Sequence, residues 1–127
     1  SGTFCNATDE YNKSVHSQVF MILGGVISGE EGRKALNTMI NDPEACQPNT
    51  PYMQHYVIEA MLKLGMEQEA KDFMVSFWGG MVEAGADTFW ELWDPADPDA
   101  SPYGGTAVNS YCHAWSCAPA YFLRKFF

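Results

Sequence analysis

The sequence predicts an all-α fold of helical hairpins, on three observations. Four segments repeat apolar residues at helical spacing, none alternates strictly as a half-buried strand would, and glycine or proline stands where the helices must end. The 127 residues amount to one domain at most, given typical domain sizes of about 150 residues. Residues 1–127 are therefore read as a single all-helical domain. Apolar residues make up 46% and charged residues only 18%, a balance that supports a packed core and excludes a disordered tail.

Val15, Val19, Ile22, Leu23, Val26 and Ile27 fall on one helical face and define the first helix. Ser28-Gly-Glu-Glu31 has the form of a capping box, in which a serine hydroxyl and a glutamate three residues on satisfy two orphaned N–H groups reciprocally. The second helix buries Ala35, Leu36, Met39 and Ile40 and stops at Asp42-Pro43, because the residue before proline disfavours helical geometry. Thr50-Pro51 starts the third, which presents Met53, Tyr56, Val57, Ala60, Met61 and Leu64 and ends at Gly65. Ala70, Phe73, Met74, Phe77, Trp78, Met81 and Val82 continue the rhythm in a fourth helix closed by Gly85, giving an αα-hairpin. Residues 85–107 show no period. Val108, Tyr111, Cys112 and Trp115 then line one face of an expected fifth helix, with Asn109, His113 and Ser116 on another and Pro119 kinking or interrupting it.

Seven basic against sixteen acidic residues leave a net charge of −9, which repels phosphate backbones and anionic headgroups, so neither nucleic acid nor a membrane surface is an expected partner. The longest apolar run, Val19 to Leu23, falls far short of the roughly 18 residues a span requires. No basic-then-apolar leader opens the sequence, so no signal peptide is expected within it. Cys5, Cys46, Cys112 and Cys117 lack zinc-ligand spacing and are read as buried free thiols. Prolines interleave Asp94, Asp97 and Asp99, which makes a solvated turn a better reading than a calcium loop. No metal or cofactor is expected.

The densest chemical signal is Asp87-Thr-Phe-Trp-Glu-Leu-Trp-Asp94. Desolvation between tryptophans tunes a carboxylate's proton affinity, and indole faces suit stacking against sugar rings. On motif physics alone Trp90 and Trp93 read first as core anchors, with Glu91 solvated or paired with arginine. Asn109 and His113, four residues apart, could donate to ligand hydroxyls from one face, or His113 could be a satisfied core residue.

The run Gly85-Ala-Asp-Thr-Phe-Trp-Glu-Leu-Trp-Asp94, with Ser101-Pro-Tyr-Gly-Gly and Asn109-Ser-Tyr-Cys-His-Ala-Trp-Ser-Cys-Ala-Pro, resembles the C-terminal part of the six-hairpin catalytic domain of α-L-rhamnosidases, glycoside hydrolase family 78. His16-Ser-Gln-Val adds a weaker likeness. The resemblance implies a partial (α/α)6 toroid of which five helices are a fraction, and a secreted or periplasmic, inverting hydrolase acting on a rhamnose-containing glycan or glycoside. It implies Glu91 as general base, Trp90 and Trp93 as walls of the sugar pocket, and His113, with Asn109, as substrate-binding. Leu92 stands where the family often has arginine, and Asn109 and His113 are spaced differently. No motif here supplies the acid, which is expected in earlier hairpins. The isolated chain is thus expected to be catalytically incomplete, with the rest of its parent chain, or a second copy, covering its cut edges. A carbohydrate-binding module and a purely structural helical domain are the rival readings.

Overall fold

The computed structural model describes residues 2–8 and 10–127, leaving aside the side chains of Glu10 and Tyr11. The chain runs β1 (Cys5–Ala7), β2 (Glu10–Lys13), α1 (Val15–Leu23), α2 (Gly29–Ile40), α3 (Pro51–Lys63), α4 (Glu67–Glu83) and α5 (Ala118–Lys125), with single 3-10 turns at Thr106–Val108 and Ala114–Ser116. It divides into two compact units. The first takes residues 1–48 and 56–70, the second residues 49–55 and 71–127.

In the first unit, α1 packs on α2. The unit's buried core includes Val15, Val19 and Ile22 from α1, Ala35, Leu36 and Met39 from α2, Val57, Ile58 and Met61 from α3, and Leu64 just past the end of α3. Helix α1 ends at Leu23, earlier than its apolar stripe implied, and Val26 beyond it is exposed while Ile27 is buried. The expected capping box at Ser28 does not form. Ser28 is the extended N-cap residue of α2 but makes no side-chain cap bond, and Glu30 and Glu31 instead place negative charge in the first turn, where the helix dipole favours it. The Lys63 ammonium donates to the Leu23 carbonyl at 2.7 Å, and Arg33 Nε to the Leu64 carbonyl at 2.9 Å, so cations close the carbonyl ends of α1 and α3.

The unit also contains a strand pair that the sequence did not predict. β1 and β2 are antiparallel, with Cys5 opposite Lys13 and Ala7 opposite Glu10. The strands are only three and four residues long and β1 is exposed throughout, so there was no buried face to impose an alternation. The fully buried Gln18 receives the Phe4 N–H at 2.9 Å and donates to the Phe4 and Ser14 carbonyls at 2.8 and 3.1 Å, tying the N-terminal segment to α1.

Helices α3 and α4 follow the predicted stripes except at Val82, which lies exposed in the last turn of α4. Thr50 caps α3, its carbonyl accepting from Met53 and Gln54 N–H groups at 3.0 Å and its hydroxyl lying 3.4 Å from Met53 N. At the other end Gly65 has φ +71°, and the Gly65 and Met66 N–H groups bond back to the Leu62 and Met61 carbonyls at 3.0 and 2.9 Å. This is the paired closure that needs a left-handed residue. An added Cβ would also meet Arg33 at 3.1 Å. Gly65→Ala is therefore expected to destabilise the fold by about 1–2 kcal/mol, read as a lowered urea midpoint with an unchanged slope. An unchanged midpoint would show that the turn relaxes.

The fifth helix departs from expectation. It begins at Ala118, with Pro119 in its first turn as a start signal, and does not extend back to Val108. Residues 109–113 are irregular, and Val108, Tyr111 and Trp115 are exposed. Nothing there selects a helix, because the residues of the supposed stripe are not buried together. In the second unit Met74, Phe77, Trp78 and Met81 of α4 and Phe122 of α5 are buried, and the Phe122 ring lies 4.8 Å from that of His55. All four cysteines are free thiols, as read, but they are exposed rather than buried, since they sit on β1 and in loops. Among the described residues no helix is long and apolar enough to cross a membrane.

Candidate active site

Two irregular segments of the second unit build the site. Residues 88–93 and 110–116 run side by side through backbone bonds: Glu91 N–H donates to the Ser110 carbonyl and His113 N–H to the Phe89 carbonyl, both at 2.9 Å. The Thr88 hydroxyl adds a 2.5 Å bond to the Tyr111 carbonyl. Trp93 N–H donates to the Asn49 carbonyl at 3.1 Å, fixing the far end of the first segment. A buried relay fixes its middle. The Trp78 indole N–H donates to the Ser116 carbonyl and the Ser116 hydroxyl to the Trp90 carbonyl, each at 2.8 Å. Loops that lack a regular ladder need such partners for their buried polar groups, and here the same bonds set the position of Glu91.

Glu91 is buried, with 7% of its surface exposed. Its two carboxylate oxygens have different donors: Oε1 accepts from the Tyr103 hydroxyl at 2.5 Å and Oε2 from the Ser110 N–H at 3.1 Å. The Tyr103 hydrogen bond holds the Glu91 carboxyl below the usual carboxylate range, helped by the Ser110 N–H and the positive charge available at His113, while burial opposes them. The same bond pushes the Tyr103 phenol up. A buried carboxylate in this setting is ionised and can accept a proton from water.

Trp90 and Trp93 are half-buried and meet edge-to-face at 5.6 Å and 67°, and Trp90 meets Tyr111 the same way at 5.5 Å and 86°. They flank Glu91 in sequence, and Glu91 is buried, with Tyr103 and Ser110 rather than an arginine as its partners among the described residues. The buried Trp93 Nε1 has no hydrogen-bond partner among the described residues. The half-buried His113 ring lies 4.4 Å from that of Trp115, and its electrostatic influence is the weakest of those that favour the Glu91 carboxylate. Asn109 and His113 do not share a helical face. Asn109 spans its own loop: Nδ2 donates to the Ala100 carbonyl at 2.9 Å and Oδ1 lies 2.7 Å from the Ser101 hydroxyl. Asp94 and Asp97 accept from Ala96 and Asp99 N–H groups at 2.9 and 3.1 Å as turn-formers. Among the described residues no cluster of three or more His, Cys, Asp or Glu could hold a metal ion.

The sequence did not single out Tyr103, Ser110 or Ser116 for a role. Tyr103 lies within Ser101-Pro-Tyr-Gly-Gly, one of the stretches that carried the family resemblance, and that is the signal by which it could have been found.

A helical chain that holds an ionised carboxylate between tryptophans has the makings of a glycosidase domain. Residues 5–126 match the bacterial α-L-rhamnosidase six-hairpin glycosidase domain. The chain belongs to that family. Among solved structures it is similar to a rhamnosidase from Klebsiella oxytoca with rhamnose bound, at 42% identity and a TM-score of 0.90 over 98% of this chain and 24% of that one. It is also similar to a family GH78 rhamnosidase of Bacillus sp. GL1, at 30% identity and a TM-score of 0.73 over 91% of this chain and 12% of that one. The chain thus spans about a quarter and about an eighth of these two proteins. No curated protein sequence matches it.

Proposed function

We propose that this chain is the C-terminal part of the catalytic domain of an inverting α-L-rhamnosidase, with Glu91 as the general base. The observation that carries the reading is a buried carboxylate, oriented through both oxygens and kept ionised, within a domain of the rhamnosidase family. In an inverting mechanism such a carboxylate takes a proton from the attacking water, while an acid on the other side protonates the leaving oxygen. Trp90 and Trp93 form the sugar-facing walls, and His113 and Asn109 the polar edge. The acid belongs to the part of the parent protein outside this chain, so the 127 residues alone do not turn over an aryl rhamnoside. The rhamnose bound in the Klebsiella oxytoca protein supports a carbohydrate ligand for this chain too.

Proton NMR of the first product released from an aryl α-L-rhamnoside by the full-length protein tests the mechanism. β-L-Rhamnose appearing first is the expected result, and α-L-rhamnose appearing first would overturn inversion. Turnover by the 127-residue chain alone would overturn its incompleteness.

A further inference from the structure

The geometry points to Tyr103 as a positioning residue for the proposed base: its hydroxyl fixes the orientation of the Glu91 carboxylate so that a free lone pair faces the attacking water. The inference rests on the reading of Glu91 as base and adds a second residue to it.

Each carboxylate oxygen can accept about two hydrogen bonds. Oε1 takes one from Tyr103 and Oε2 one from the Ser110 N–H, so each keeps a free site. The Ser110 donor is backbone, held in the bonded pair of segments. With that donor alone, the carboxylate could still turn about its terminal torsion, which is broad and roughly two-fold. A second donor on the other oxygen removes that freedom.

Tyr103 is suited to the task by its mounting. The residue is 58% exposed, so it contributes little to a core, and its hydroxyl is spent on Glu91. The loop that carries it is stapled: the Ser101 hydroxyl accepts from the Tyr103 N–H at 3.2 Å and lies within 2.8 Å of the Gly105 carbonyl and 2.7 Å of Asn109 Oδ1. Asn109 therefore also supports the loop that aims Tyr103, beside the sugar contact proposed for it. The titratable groups that face Glu91 are Tyr103 from this loop and His113 from the 110–116 segment.

Tyr103→Phe in the full-length protein tests the assignment, with an aryl α-L-rhamnoside as the probe. Losing the hydroxyl removes a hydrogen bond to a charged group, and kcat is expected to fall about tenfold while KM changes less than about twofold. The acid limb of the kcat/KM profile should move to higher pH, because the bond that favoured the charged form of Glu91 is gone. A rise in proton affinity alone would make Glu91 a stronger base. A fall in kcat accompanied by that movement thus reports lost orientation, which a structural contribution of the ring would not produce. Tyr103→Ala should match Tyr103→Phe. A Tyr103→Phe variant with wild-type kcat and an unmoved pH profile overturns the assignment, as does a defect confined to Tyr103→Ala. Glu91→Gln, measured in parallel, separates the two failures: if it stays active, the base reading has failed, and if it collapses while Tyr103→Phe is normal, only the positioning assignment has.

Discussion

Glu91→Gln in the full-length protein is expected to lower kcat by about a hundred- to ten-thousand-fold, the usual worth of a positioned general base. The fold should survive the change. The substituted amide can accept the Ser110 N–H through its oxygen and offer its own N–H to Tyr103, whose hydroxyl can rotate to accept it, so neither partner is left unsatisfied. Substrate binding should change little, since Trp90, Trp93 and His113, the proposed pocket residues, stay in place. Sodium azide gives the discriminating control, because it attacks without needing to be deprotonated: it should restore part of the turnover and yield a glycosyl azide of inverted configuration. In the unaltered protein the acid limb should lie below that of an ordinary carboxylate. Glu91 must be ionised to act, and Tyr103, Ser110 and His113 each favour the ionised form, so activity persists as pH falls until the lowered value is crossed. Near-normal turnover by Glu91→Gln would return this carboxylate to a structural role.

What was legible in the sequence follows from what local pattern can encode. Helices α3 and α4 could be read because burial repeats every three to four residues along them and Gly65 and Gly85 end them with left-handed backbone. Glu91 and its tryptophans were legible for a different reason, as a short contiguous motif. The partners of Glu91 were not, since Tyr103 and Ser110 lie 12 and 19 residues further along in irregular chain, and no periodicity marks a bond between loops. The same limit produced the misplaced fifth helix. Val108, Tyr111 and Trp115 have helical spacing, but periodicity implies a helix only where the stripe is buried, and all three are exposed. Pro119 opens a helix where the supposed stripe made it an interruption. Asn109 gained its meaning only from the turn that brings Ala100 and Ser101 to its amide.

Trp78→Ala should have the largest effect on stability. Trp78 is buried on α4, its ring edge-on to Phe77 at 4.9 Å, and truncating a buried tryptophan costs about 3–5 kcal/mol. The change also strips the Ser116 carbonyl of its indole donor inside the protein, adding about 1–3 kcal/mol. Together these approach the total of about 5–15 kcal/mol that holds a domain folded. The loss should be felt at the site, because Ser116 in turn anchors the Trp90 carbonyl, one residue from Glu91. Trp78→Phe keeps most of the packing and removes only the donor, so it should cost about 1–3 kcal/mol. Hydrogen exchange read at the Glu91 and His113 amides, whose acceptors lie across the two segments, should show protection falling modestly in Trp78→Phe and steeply in Trp78→Ala. Equal protection in Trp78→Ala and the unaltered chain would mean that the segments are held without the Trp78–Ser116–Trp90 relay. Equal losses in the two variants would assign the whole effect to the indole N–H.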